Sequence, residues 1–383
     1  MIIYSTVINS GGMRRIAEWC ARTEVNEIDG EEILYLIFTS APIATTKSNV
    51  LFINWTHSSE SYSKARIGQY QEILKQKLLG KNITGIIGDY QTLCYLDFLN
   101  VPVVYDVHIL GRPLFQDIGS DKKFQRIDEE FVSIPMASLI DITHFNFLRF
   151  EHKYIKLAKS YMVNSENSEF FLSSNYQDET KGKNIFRVPL PFLPLQEDTP
   201  NYSNRRFEFF IYTFGRLHPQ KAQHLLLFED WHEMPLAIRG LELEHLKPDA
   251  QKKCEQRGIK LLEWSDEVGV IVKDLIKARF VLFSSLHEPW GLALQEAMSL
   301  GCICIANSKG RGHTEQIEHA KNGFLLDFTD ADWMEQLKAI TLITGTSLEE
   351  ISINASISAL EISNDVKRSG VLRGIKRNEM FKL

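Results

Sequence analysis

Two glutamates, Glu288 and Glu296, stand with seven residues between them in the stretch HEPWGLALQEA, and a Pro-Trp-Gly turn follows the first. A carboxylate carries two acceptor oxygens and can take both hydroxyls of a diol. One glutamate in a loop and a second in a helix can therefore hold two parts of one ligand. Gly291 between them lets backbone amides come close to that ligand, and the helical spacing of LALQEAMSL from Leu292 places unpaired N–H groups and a partial positive charge beside it. A phosphate fits there, with Glu288 facing the part of the ligand beyond it and Glu296 facing a ribose. Alone, such a pair reads as readily as two solvated carboxylates. Its neighbours decide between the two readings.

The elements that must position this motif can be read from the apolar runs. Short β-branched and aromatic segments alternate with helical patterns, first over 2–8, 32–38, 49–55, 85–90, 101–108 and 160–165, with YSKARIGQYQEILKQKLL (62–79) as a helix among them. The alternation restarts over 207–215, 236–240, 259–264, 280–285, 302–307 and 323–328. Strands alternating with helices imply an α/β fold with parallel sheets, here in two copies. In the second copy FVLFSS is a buried strand, LHEPWG the loop at its carboxyl end and LALQEAMSL the next helix, and that end of an open α/β sheet is where ligands bind. Pro189, Pro191, Pro194 and Pro200 punctuate the stretch between the copies, which can continue neither a helix nor a central strand and is read as a linker.

A chain of 383 residues suits two domains of about 200 residues each. With 44% hydrophobic and 24% charged residues its composition is that of an ordinary globular protein. The net charge of -6 gives no general attraction to nucleic acid or to an acidic membrane. No apolar run reaches the roughly 18 residues of a membrane span. Five cysteines, Cys20, Cys94, Cys254, Cys302 and Cys304, form neither an even disulfide framework nor paired metal spacing. They are expected to be reduced, buried thiols in a cytoplasmic protein. MIIYSTVINSGG has no basic leader and is expected to be a first strand rather than a signal peptide.

Four motifs then occur in one order: SGGMRRIAEW (10–19), MVNSENSEFFL (162–172), FGRLHPQKAQHLLL (214–227), and the long segment from Ser284 to Asp327 with Glu288, Gly291, Glu296, EAMSLG and NGFLL. In this the chain resembles the retaining GT-B glycosyltransferases of glycosyltransferase family four, most strongly from Phe207 to Phe328. The resemblance implies two Rossmann-like domains with parallel sheets facing an interdomain cleft. It implies an acceptor-binding domain over 1–190, a linker over 191–206, a nucleotide-sugar-binding domain over 207–360, and a C-terminal helix and tail, 361–383, that packs back on the first domain.

The implied activity is transfer of a hexose-type sugar from a nucleoside diphosphate to a hydroxyl of a saccharide or lipid-linked saccharide, as in cell-surface polysaccharide or glycoconjugate synthesis. The alternatives are a sugar-phosphate synthase or phosphorylase of the same fold and a non-catalytic partner subunit. By resemblance His108 and Glu288 are the catalytic candidates, with Glu288 on the donor's sugar hydroxyls and Glu296 on the ribose. Arg216 and Lys221 follow a strand and can neutralise one diphosphate. Pro289, Trp290, Gly291 and Leu292 form the turn whose amides meet the distal phosphate, and Gly11 and Gly12 form the loop that closes over the diphosphate.

Trp290 and Ala222 depart from the family pattern, Ala222 standing where glycine is common. No metal or cofactor is implied beyond a UDP- or GDP-sugar co-substrate, and Asp330-Ala331-Asp332, after the last strand, is not read as a metal site. Nucleic acid is not an expected partner. A weak contact with the cytoplasmic membrane face is the one peripheral expectation, from Lys75, Lys77 and Lys81 on a helix that reads first as a packed crossover.

Overall fold

Every strand expected from the apolar runs is present, and the strands assemble into two separate sheets. The computed structural model describes residues 1–8, 11–56, 61–107, 130–131, 150–192, 201–215, 219–240, 246–265, 267–361 and 364–381. The chain divides into two compact units: Met1–Pro113 with Asp141–Leu193 and Ser363–Leu383, and Leu114–Ile140 with Pro194–Ile362.

The first unit holds β1 (Ile2–Val7), β2 (Glu27–Ile28), β3 (Glu31–Thr39), β4 (Val50–Asn54), β5 (Gly85–Gly88), β6 (Val103–Val107), β7 (Ser160–Val163) and β8 (Asn184–Arg187). Their order is β2-β3-β1-β5-β6-β7-β8, with β4 also pairing β3, and every pair is parallel except β2 with β3. All six residues of β1 are buried, as expected of a strand covered on both faces. Helices Gly11–Arg22, Lys64–Lys77, Tyr90–Leu96 and Glu166–Asn175 make crossovers. β5 and β7 stop short of the ranges expected because Asp89 and Ser165 cap the helices that follow. Asp89 accepts from the amides of Gln91 and Thr92 at 3.0 and 3.2 Å, and Ser165 from that of Ser168 at 3.0 Å.

Residues 364–381 belong to the first unit and are tied into it. Ser160 donates to the Met380 carbonyl at 2.6 Å, Asn184 to that of Glu379 at 2.9 Å, and Arg377 pairs with Glu31 at 2.6 Å.

The second unit has β9 (Phe209–Phe214), β10 (Leu236–Arg239), β11 (Ile259–Leu262), β12 (Ala278–Phe283), β13 (Cys304–Asn307) and β14 (Phe324–Leu326). The order is β11-β10-β9-β12-β13-β14, all parallel. This doubly wound sheet reverses direction between β9 and β12, and the crevice at such a switch point is the ligand position of the fold. Phe131, expected within the first domain, is fully buried in this unit's core, and its carbonyl accepts from the Lys247 amide at 2.8 Å.

All five cysteines are free and buried, and burial pushes the Cys302 thiol up to about 11. Among the described residues no helix is long and apolar enough to cross a membrane.

Candidate active site

At the switch point of the second unit the loops after β9 and β12 meet. The first carries Lys221 in a short 3-10 turn, Pro219–Lys221, and the second carries Glu288. Lys221 Nζ lies 2.6 Å from Glu288 Oε2, and the two side chains are 28% and 13% exposed. Hydrogen bonds hold the loops together: Gln220 donates its side-chain amide to the His287 carbonyl at 2.7 Å, and the Leu286 amide donates to the Gln220 carbonyl at 3.1 Å. Ser284 Oγ donates to the Lys221 carbonyl at 2.7 Å. Ala222 sits in the left-handed region with φ 51, which accounts for glycine being common at its place in the family pattern.

Gly291 opens helix Leu292–Ser299 with φ 94 and ψ 60, and no side chain caps the first turn. The first-turn amides after Gly291 therefore carry the unsatisfied donor character that draws an anion. A Cβ at Gly291 would stand 3.0 Å from His313 Cδ2 and 3.2 Å from Glu288 Cγ. Gly291→Ala is expected to lower the unfolding free energy by about 1–2 kcal/mol from the left-handed backbone alone. Urea unfolding reads this, and an unchanged midpoint would mean that the turn relaxes freely.

Glu288 and His313 set each other's charge. Burial alone would raise the Glu288 carboxyl, but the Lys221 ammonium, with help from His313 and a Ser285 hydrogen bond, outweighs it and holds the group below the ordinary glutamate value. His313 is 1% exposed, and burial pushes its imidazole down to about 4, with Glu288 opposing and Lys221 assisting the shift. The site at neutral pH thus holds an ionised carboxylate and a neutral imidazole. The ring packs edge-on to Phe283 at 6.0 Å and passes beside Gly310, where a Cβ would lie 2.5 Å from His313 Nδ1. The Gly312 amide donates to the Glu288 carbonyl at 2.9 Å and fixes the backbone of that residue.

The sequence motifs fall into three groups. Lys221, Glu288, Pro289, Gly291 and Leu292 come together at the switch point, and Glu296 lies half-buried in the second turn of the same helix. Trp290, expected among the donor-binding residues, is 8% exposed and donates its indole N–H to Gln295 Oε1 at 2.9 Å, while its carbonyl accepts from Gln316. It anchors the turn. In the first unit Gly11 and Gly12 open the helix after β1. His108, directly after β6, and Arg216, directly after Gly215, lie outside the described residues.

His313, Gln316 and Gln220 support the site and were not among the expected residues. The only sequence signal for His313 is its setting, Gly310-Arg311-Gly312-His313, with small residues where a ring must pass.

Two doubly wound sheets, parallel but for β2, are the architecture of the GT-B fold. Residues 197–355, the segment that carries Lys221, Glu288 and Glu296, match the family described as glycosyl transferases group 1. A relative, the uncharacterized glycosyltransferase YqgM of Bacillus subtilis (strain 168), is 25% identical over 191 residues, 46% of this chain and 52% of that protein. The match thus spans about half the relative's length.

Among solved structures, sucrose-phosphate synthase from Thermosynechococcus elongatus superposes with a TM-score of 0.71 at 15% identity over 96% of both chains. Anabaena Alr3699/HepE, solved in complex with UDP-glucose, gives 0.65 at 14% over 97% of both. At these identities the likeness is one of fold.

Proposed function

We propose that the chain is a retaining glycosyltransferase of family four that moves a hexose-type sugar from a nucleoside diphosphate to a hydroxyl of a saccharide or lipid-linked saccharide. The observation that carries this reading is the Lys221–Glu288 pair at 2.6 Å beside the uncapped helix start at Gly291. A cation, a carboxylate and free amides at one switch point suit a ligand that joins a polyhydroxylated ring to a diphosphate. Lys221, with Arg216, takes the charge that develops on the leaving phosphate. The amides of Gly291 and Leu292 hold the distal phosphate, Glu288 the sugar hydroxyls and Glu296 the ribose.

In this reading the acceptor attacks from the leaving-group face, and the departing phosphate helps to take its proton. By the family resemblance His108, Gly11 and Gly12 are the further residues assigned to the reaction. No resident metal or cofactor takes part. The relative solved with UDP-glucose supports a UDP-sugar as the first donor to try.

Calorimetric titration with UDP, GDP and ADP, followed by transfer assays with the matching sugars, tests the reading. The anomeric configuration of the product is read by NMR. Glu296→Ala is expected to weaken nucleotide binding by about 1.5–3 kcal/mol, the worth of hydrogen bonds to a charged group. Absence of binding to all three nucleotides by the unaltered protein would overturn the reading. An inverted product would overturn retention alone. A sugar-phosphate acceptor in the same assay separates transfer to a hydroxyl of a saccharide from synthase chemistry, the reaction that the printed name of one structural relative describes.

A further inference from the structure

The basic C-terminal tail hides one of its charges. Arg368, in helix Asn364–Gly374, is 1% exposed inside the first unit. Its guanidinium lies over the ring of Trp19 at 4.8 Å and over that of Tyr4 at 5.7 Å. One Nη donates to the Pro189 carbonyl at 3.0 Å and the other to the Tyr4 hydroxyl. Tyr4 passes the bond on, donating from its hydroxyl to Asp106 Oδ2 at 2.6 Å.

Three of these residues, Trp19, Asp106 and Tyr4, belong to elements that lead to residues named for the reaction. Trp19 is on helix Gly11–Arg22, which begins with the glycine pair. Asp106 is the penultimate residue of β6, and His108 follows that strand immediately. Tyr4 is on β1, from which helix Gly11–Arg22 follows, and β1 is joined to β6 through β5.

We propose that Arg368 is a positioning residue for the transfer reaction, holding the end of β6 through the Tyr4–Asp106 bond and the glycine-led helix through Trp19. The proposal rests on the glycosyltransferase reading for its catalytic consequence. A buried cation is a poor device for stability alone, since apolar residues of similar volume fill such a space as well or better. Its fork also leaves Nε without a hydrogen-bond partner. What the fork does provide is direction, because a planar guanidinium ties three elements in one geometry.

Two mild variants test this without emptying the core. Tyr4→Phe keeps the ring and removes only the hydroxyl that joins Arg368 to Asp106. Arg368→Lys keeps the charge and removes the fork. Both are expected to lower kcat at least tenfold and to weaken UDP binding by a smaller factor, because in the proposed reading the second unit supplies most contacts to the nucleotide and the glycine pair meets only its diphosphate.

Hydrogen exchange read by mass spectrometry gives a second measure that needs no activity. Peptides covering 103–107 and 11–22 are expected to exchange faster in both variants than in the unaltered protein, and peptides covering 278–299 at the same rate. Unchanged kcat in both variants, or faster exchange spread evenly over both units, overturns the positioning role. If the unaltered protein transfers no sugar, the glycosyltransferase reading fails by itself. The exchange pattern then still decides whether Arg368 holds β6 and the helix.

Discussion

Lys221→Ala is expected to cut kcat for sugar transfer by about 10²–10³-fold, the loss seen when a preorganised donor to developing charge is removed. The physical reason lies in what the ammonium faces. It sits 2.6 Å from Glu288 in a site where both side chains are mostly covered, so its charge is little screened by water. Removing it leaves the Glu288 carboxylate, 13% exposed, without the cation that holds its charge. The protein is therefore expected to lose about 1–3 kcal/mol of stability as well, the range for stranding a buried polar partner.

A double variant separates the two effects. Lys221→Ala with Glu288→Gln removes the stranded charge and is expected to recover most of the stability and none of the activity. Urea unfolding and initial-rate assays on the single and double variants read both quantities. A single variant with wild-type kcat would make the pair a structural ion bridge and end its assignment to the reaction.

How far the chain's order could be read from sequence differs from element to element, for physical reasons. β1, β3, β9 and β12 are buried runs of β-branched and aromatic residues, and such runs announce themselves. β2 is two residues long, and β8, Asn184–Arg187, is half-exposed at the sheet edge, so neither leaves an apolar run to read. The capping role of Asp89 and Ser165 is set by local backbone amides and leaves no mark in the apolar runs before them. Phe131 belongs to the second unit although it precedes the linker, and nothing in chain order signals a segment that crosses over.

The site was legible where its chemistry is carried by residue type and spacing. Glu288 and Gly291 are close in sequence and meet in one strand-loop-helix unit, whereas Lys221, 67 residues from Glu288, reaches it only because β9 and β12 are neighbours in the sheet. Trp290 was harder. Its place in the turn was plain, but its partner Gln295 is one helical turn ahead and has no mark of its own until the indole N–H is seen to need an acceptor. The Tyr4–Asp106–Arg368 chain spans nearly the whole sequence, and only the tertiary structure brings its members together.

His313 gives the second large effect, on stability as a function of pH. In the unfolded chain its imidazole takes a proton near the ordinary value of about 6.5, whereas burial in the folded protein holds it to about 4. Between those values the unfolded state binds the extra proton, so stability rises with pH across the window. The contribution is fully present above about pH 6.5 and is lost as pH falls toward 4, on the order of 3 kcal/mol in all.

Glu288 acts in the same direction but lower. Its carboxyl is held below the ordinary value when folded, so its contribution is present above about pH 4.5 and lost only as pH falls through the folded value. The two windows therefore barely overlap, and acidification from pH 7 to pH 5 reports His313. Over that interval the unaltered protein is expected to lose about 2 kcal/mol that His313→Gln does not lose, from one proton at 1.36 kcal/mol per unit. Urea unfolding of both proteins at pH 7, 6 and 5 measures the difference, and parallel lines would show that the imidazole protonates as easily inside the fold as outside it. A steeper fall in the unaltered protein would instead place a neutral, buried histidine directly behind Glu288 and Gly291, where its protonation at low pH sets a second positive charge beside Lys221.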